Sequence, residues 1–410
     1  MHIRHLLASL VLAAPALAET QLMPNARVAI IGDSITEQKL YSRFIETYLL
    51  ACTGRKDIKC FQFGWGGETA QGFSSRLEND LSVFNPTVAT TCYGMNDGRY
   101  VPYDPSIGAN YEKWMRLVLD GLKKAGVKNI VAGSPGAVDT RWFVKGGATA
   151  DQYNDNLAHL RDIDKKLAAE YHTAFAEVHD EMVKAMAAAK AKLGADYDVC
   201  GRDGVHPGPN GHLLMAAAFL KGLGLDGHIG DVTLDMQGAS AGSDGHAVTG
   251  SNGVAEITST KWPFFLEPEM RKITAFCKFN DELNRYTLRV KNLDSAKAKV
   301  TWGTEAKEFT KEQLAAGINL AAEFDKSPLD APFIALVIAV NNKQAYETPM
   351  IKGMVTNFRN FAGDAKADPE FAAALNTLKQ KMMAKQEKLD AEAHAKLVPV
   401  KHTIKVEAVK

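Results

Sequence analysis

The sequence predicts an α/β domain followed by a smaller β-rich domain and a long C-terminal helix. Three observations predict it. Between Arg27 and about Leu225, short apolar runs alternate with segments of helical periodicity, the pattern of a sheet covered by helices on both faces. After Gly230 the pattern becomes alternating apolar and polar positions between glycine, serine and asparagine turns, as in half-buried strands. Near the end, Asp368 and Pro369 mark a helix start, and Phe371, Leu375, Leu378, Met382 and Leu389 follow at helical spacing. With 410 residues, 46% of them hydrophobic, the chain can bury a large core in more than one domain.

Taken in order, the first twenty residues, "MHIRHLLASLVLAAPALAET", combine a basic start at Arg4, an apolar run and a small-residue site at Ala16 and Ala18. That arrangement reads as a secretory leader over residues 1–18, so the protein is expected to be exported, to the periplasm or beyond. No cysteine follows the apolar run to carry a lipid anchor, and no later segment is long and apolar enough to span a bilayer. The first domain is expected over residues 19–228. Its candidate strands are "RVAIIG", "KCFQFG", "TVATTCYG", "NIVAGSP" and "TAFAEVH"; Leu40, Phe44, Tyr48 and Leu49 form one helical stripe, and "QYNDNLAHLRDIDKKLAAEYH" another helix.

The β-rich domain is expected over 229–350, with strands in "DVTLDM", "GVAEITST", "RYTLRVKNL" and "KAKVTWG". Thr310 and Gln313 form a capping box at the head of a short helix there. Residues 351–410 hold the long helix, expected to pack its stripe on the rest of the protein, and a closing strand in "HTIKVEAV". Lys and Arg total 48 against 48 Asp and Glu, with no basic stripe, so nucleic acid is set aside as a partner; no protein partner is indicated. Five cysteines do not make a disulfide scaffold. Cys52 and Cys60, which bracket "TGRKDIK", are the pair a disulfide would join. Cys92 and Cys277 read as packed thiols, and nothing beyond its place three residues before Asp203 supports a reactive thiol at Cys200.

The chemistry begins with Ser34 in "VAIIGDSITEQ", where an apolar strand gives way to a helix. Serine is a favoured N-cap, so Ser34 is expected to cap that helix as well as to act as a nucleophile. A serine hydroxyl needs a base, and the base needs an orienting partner. Both occur in "GRDGVHPGPNGH": Asp203 precedes His206 by three residues, close enough to fold back on the near ring nitrogen and leave the far one for Ser34. Two glycine turns after the next two strands supply oxyanion donors, the N–H of Gly67 in "FGWGGET" and the side-chain amide of Asn96 in "YGMND". Ends of parallel strands are where such folds collect ligands. Trp65, Glu68, Tyr93 and Asp97 flank these turns and are the candidates for contacting substrate, with Trp142 on a long connection nearby. His179 and His212 read as structural, and His172, His228 and His246 form no metal-ligand pattern, so no metal is proposed.

"GDSIT", "GWGGET", "GMND" and "DGVH", in that order across residues 27–225, resemble the four blocks of the SGNH, or GDSL, hydrolase superfamily. The resemblance implies a flavodoxin-like three-layer α/β/α fold, a triad of Ser34, His206 and Asp203, and an oxyanion hole from the Ser34 backbone, Gly67 and Asn96. It also implies that neither a metal nor an organic cofactor is used. The second block often carries an asparagine two residues before its first glycine; here Gln62 stands there, a departure expected to affect turn packing more than chemistry. The function implied is an exported serine esterase acting on short acyl esters, acetyl groups on carbohydrate above all. The alternatives are a lipase or thioesterase for longer chains, a polysaccharide O-acyltransferase and a silent glycan-binding protein.

Overall fold

The computed structural model of the protein describes residues 22–409; the leader expected at 1–18 lies outside them. Five parallel strands form the first sheet: β1 (Arg27–Gly32), β2 (Lys59–Gly64), β3 (Val88–Cys92), β4 (Asn129–Gly133) and β5 (Ala174–Ala176). Their spatial order is β2-β1-β3-β4-β5, the flavodoxin-like order. β1 is apolar without alternation because both faces of the sheet are covered. Val28 and Ile30 enter one core, while Ala29 and Ile31 enter another on the opposite face.

Helices fill both layers. α1 (Ser34–Glu37), α2 (Tyr41–Thr47), α3 (Ala70–Ser74) and α4 (Leu77–Phe84) follow β1 and β2. α5 (Pro105–Lys124), α6 (Ala150–Tyr171), α7 (His179–Leu193) and α8 (Pro209–Gly222) complete the unit. Phe44 and Ile45 of α2 and most of α8 join the core that holds Val28; Ile107, Tyr111 and Met115 of α5 join the other. In register, Gly32 stands beside Gly64 on one side and Cys92 on the other, so the chain leaves β1, β2 and β3 at one common edge.

The β-rich half contains two sheets. β6 (His228–Asp235), β7 (Ala241–Gly242), β8 (His246–Thr249), β9 (Val254–Ser259), β10 (Arg285–Lys291), β11 (Lys297–Trp302), β12 (Glu305–Thr310), β13 (Ile318–Asn319) and β14 (Val400–Val409) build them. One runs β13-β10-β6-β7 and the other β12-β11-β14-β9-β8. The closing strand β14 therefore lies inside its sheet, antiparallel to both β9 and β11. Thr310 and Gln313 cap the short helix Lys311–Ala316 as a box.

Between β13 and β14, the helix Asp330–Pro349, a π-helical turn Met350–Thr356 and the helix Pro369–His394 return to the first domain. The last of these starts at the Asp368 cap, yet docks by a different face from its apolar stripe. Leu378 is 43% exposed, and Phe371, Leu375 and Leu389 are only half-buried. Met382 and Met383 touch the core, and the side chains buried deepest include Gln386 and Asp390. The reason is a polar anchor that overrides the stripe. Gln386 donates to Glu347 at 2.8 Å, and Glu347 lies 3.1 Å from the buried Lys343. Lys343 also reaches Glu46 of α2 and the Cys60 carbonyl, each at 2.7 Å. Removing one member of such a network would strand a charge in the interior, at a typical cost of about 3–5 kcal/mol.

The disulfide expected between Cys52 and Cys60 is absent: both thiols are free. Each is fully buried in the same apolar core, where it packs as a small hydrophobic side chain, and burial pushes both thiols well above their usual range.

Candidate active site

At the end of β1 the cap of α1 is Asp33, not Ser34: its carboxylate accepts the Ile35 N–H at 2.9 Å. Ser34 is instead the first helical residue. Its N–H has no carbonyl one turn back to bond, and its hydroxyl is free to turn outward. Its Oγ lies 2.8 Å from His206 Nε2.

His206 is carried by the loop that leads into α8. Asp203 shapes this loop, since one oxygen accepts the N–H groups of Val205 and His206, each at 2.9 Å, while the other meets His206 Nδ1 at 2.6 Å. Burial works against ionisation of Asp203, but these bonds win and hold it below the usual carboxylate range. Gly204, with φ +77°, presses so closely on Phe143 that a Cβ would collide with the Phe143 backbone. The connection carrying Phe143 is held in turn by the buried Asp139, which accepts the Arg141 N–H at 2.9 Å and Lys190 Nζ at 2.8 Å. Trp142 lies beneath the guanidinium of Arg202, 5.1 Å from its ring centre.

The donors sit at the edges of β2 and β3. Gly67 occupies a turn closed by Glu68 N–H on the Trp65 carbonyl at 3.1 Å; its φ of +73° is the left-handed value that glycine adopts without strain. No group within 4 Å would meet a Cβ there, and its N–H has no partner among the described residues. Asn96 donates through Nδ2 to the Glu68 carbonyl at 3.0 Å and lies 3.5 Å from Asp33 Oδ2. The Tyr100 hydroxyl donates to Asn96 Oδ1 at 3.0 Å, which fixes which end of the amide faces the site. Tyr100 holds a left-handed φ of +58°, uncommon for an aromatic residue.

Of the four residues expected to contact substrate, three are structural. Glu68 is buried and gripped by Arg76 through two bonds of 2.7 and 2.8 Å. Tyr93 is fully buried and spends its hydroxyl on Glu68 at 2.8 Å. Asp97 is buried and accepts the Ala70 and Gly94 N–H groups at 3.0 and 3.1 Å, tying the two donor turns together. Only Trp65 stays half-exposed, with Lys352 Nζ 4.7 Å and the Arg76 guanidinium 4.9 Å from its ring centre. Burial, reinforced by the charges of Asp97 and Glu68, pushes the Asp33 carboxyl up to about 7, and burial raises Asp97 to about 6.

His212 on α8 accepts the Tyr41 N–H at 3.2 Å and faces Gln38 at 2.9 Å, so it anchors the start of α2; burial lowers its pKa to about 3. Among the described residues no cluster of three or more His, Cys, Asp or Glu is placed to hold a metal ion. No helix among them is long and apolar enough to cross a membrane. Asp33, Tyr100 and Lys352 escaped the sequence reading. Asp33 alone had a local signal, because Asp is as good a cap as Ser.

A flavodoxin-like parallel sheet carrying a Ser–His–Asp line at the carboxyl edge of its strands defines the class, a three-layer α/β domain with the side-chain arrangement of a serine hydrolase. Residues 30–214 match the model of the GDSL-like Lipase/Acylhydrolase family, and the match supports a carboxylic ester hydrolase in this part of the chain. Among solved structures, the chain is similar in fold to BT4096, a gut microbial diltiazem-metabolizing enzyme, at 20% identity and a TM-score of 0.73, covering 94% of this chain and 98% of that one. Axe2, an acetylxylan esterase from Geobacillus stearothermophilus, aligns at 21% identity over 49% of this chain and 94% of its own, with a TM-score of 0.40. No curated protein matches the sequence.

Proposed function

We propose that the protein is an exported serine esterase that removes small acyl groups, acetyl above all, from carbohydrate. The observation that carries this reading is the unbroken line Ser34 Oγ, His206 Nε2, His206 Nδ1, Asp203 Oδ2, with contacts of 2.8 and 2.6 Å. Asp203 holds the imidazole with its proton on Nδ1, leaving Nε2 to take the Ser34 proton as Oγ attacks the ester carbonyl. The tetrahedral oxygen then receives the N–H groups of Ser34 and Gly67 and the Asn96 amide. His206 returns the proton to the leaving alcohol, which departs and leaves an acyl-Ser34. Water, deprotonated by the same nitrogen, releases the acid. The leader at residues 1–18 and the β-rich half favour an extracellular or periplasmic polymer as the alcohol.

The test is hydrolysis of p-nitrophenyl esters from acetate to long chains by the mature protein and by Ser34→Ala, followed by acetate release from acetylated polysaccharides. Turnover confined to short chains and lost in Ser34→Ala is the expected result. Full turnover in Ser34→Ala would overturn the nucleophile, and a preference for long chains would overturn the substrate.

A further inference from the structure

The helix Asp330–Pro349 continues into the π-helical turn Met350–Thr356, and π turns are frequent at functional sites because they shift the phase of the side chains that follow. Three hydrogen-bonded lines run from this segment to the turns around Ser34. Along the first, Lys352 Nζ donates to Glu37 Oε1 at 2.6 Å, and the other Glu37 oxygen accepts the Gly66 N–H, one residue before Gly67. The same ammonium covers Trp65, at the head of that turn.

Along the second line, the Thr356 hydroxyl donates to Asp80 Oδ2 at 2.8 Å, which also accepts Arg76 at 2.6 Å. Arg76 clamps both oxygens of Glu68, whose carbonyl accepts the Asn96 amide at 3.0 Å. Along the third, Glu347 accepts the Gln62 N–H at 3.1 Å and Thr348 donates to Gln62 Oε1 at 3.3 Å, while Gln62 Nε2 donates to the Thr36 carbonyl within α1 at 2.6 Å. Gln62, Asp80, Glu347 and Thr356 are all buried, so the second and third lines are little screened by water, whereas Lys352 and Glu37 on the first are partly exposed.

We propose, resting on the esterase reading above, that the turn Met350–Thr356 is a built part of the oxyanion hole. Lys352 is a positioning residue for the Gly67 N–H and Thr356 for the Asn96 amide. Neither touches substrate. Each fixes a donor where charge develops in the transition state, and such preorganisation is felt in turnover more than in ground-state binding. The hydrolase sheet would on this account be incomplete without a segment some 300 residues further along the chain, a separation already evident in the 315 positions between Glu37 and Lys352.

The test uses the full chain and p-nitrophenyl acetate, with Lys352→Met, Lys352→Arg, Thr356→Val, Glu37→Gln and the double variant Lys352→Met/Glu37→Gln, each checked by thermal unfolding. A lost donor typically costs about 10²–10³ in turnover, so a loosened one is expected to cost about 10-fold in kcat with KM within about twofold. Lys352→Arg should recover most of the loss, and the double variant should be no worse than the poorer single one. Wild-type kcat in both folded Lys352→Met and Thr356→Val would overturn the proposal, as would additive losses in the double variant. If Lys352→Met does not fold, near-isosteric Thr356→Val decides alone. An active Ser34→Ala would sink the Ser34 mechanism on which this rests, whereas an inactive Ser34→Ala beside fully active Lys352→Met and Thr356→Val would sink only this inference.

Discussion

Two serines in this molecule each lie 2.8 Å from a histidine ring nitrogen, Ser34 at the edge of the parallel sheet and Ser259 in the β-rich half. Their surroundings differ in every other respect. Ser259 is fully buried and sits between two imidazoles, His246 Nδ1 at 2.8 Å and His402 Nε2 at 2.9 Å. The Trp302 indole can only donate, so it sets His402 Nδ1 as an acceptor at 3.2 Å; His402 then donates to Ser259, and Ser259 to His246. His246 Nε2 ends the chain on the Ile229 carbonyl at 3.0 Å. Each polar proton along the line has an acceptor, and the chain stitches the two β sheets together. Beside Ser34 there is an exposed carboxylate on the histidine, an N–H on Gly67 without a partner among the described residues, and a route to water. A serine–histidine contact therefore does not make a nucleophile; an orienting acid, unspent donors and access do.

The sharpest way to break this contrast is to exchange the serines. Ser34→Ala should lower kcat/KM on p-nitrophenyl acetate by about 10⁴-fold or more, by analogy with removal of a triad nucleophile, and should abolish labelling by a fluorophosphonate. Ser259→Ala should leave both within about twofold. Labelling that survives in Ser34→Ala but vanishes in Ser259→Ala would reverse the assignment.

Within the first site, Asp203→Asn should cost on the order of 10³–10⁴ in kcat, because an amide no longer selects the tautomer with its proton on Nδ1. Asn96→Ala should cost about 10²–10³. Steady-state kinetics check both, and Asp203→Asn with undiminished kcat would remove the orienting acid from the mechanism.

Stability is where Ser259 should matter. Ser259→Ala leaves two buried imidazoles each short of a partner, and about 1–3 kcal/mol is expected in denaturant unfolding. An unchanged midpoint would mean that the stitch carries no load.

The smallest effects are in pH, and the two regions should slope in opposite directions. Burial lowers His402 to about 4 and lowers His246 too, Lys261 and His228 acting with burial and Asp244 against it. The unfolded chain thus binds protons that the folded chain refuses. The stitch is at full strength above the unfolded value near 6.5 and weakens as pH falls toward 4. Asp33 runs the other way: raised to about 7 by burial, it keeps its proton in the folded state, so its region loses stability as pH climbs from the unfolded value of 3.8 through 7. Asp33→Asn keeps a capping acceptor and should flatten the alkaline slope in thermal unfolding, while His402→Gln should flatten the acid one. Identical slopes in wild type and variants would discard both assignments.

What the sequence determined by itself is what short-range physics controls. The five parallel strands were legible because a strand covered on both faces reads as an unbroken apolar run, as in Val28–Ile31. Asp368 and Pro369, and the Thr310–Gln313 box, announced helix starts through bonds that span three residues. Ser34, Gly67 and Asn96 stood out because loops after strand ends carry chemistry in such folds, and Asp203 and His206 because an acid three residues before a histidine can orient its ring.

The tertiary structure alone decided the rest. Glu68, Tyr93 and Asp97 have the polarity of substrate ligands, but Arg76 holds Glu68, Glu68 takes the Tyr93 hydroxyl, and turn N–H groups occupy Asp97. Cys52 and Cys60 are near neighbours in sequence, yet each faces the core and stays reduced. The last helix chose Gln386 and Asp390 over its leucines because Lys343 and Glu347, tens of residues away, required buried partners. Lys352 reaches Glu37 across 315 positions of chain. No local pattern encodes such a pairing, because its free energy exists only once both segments have left water for the same place.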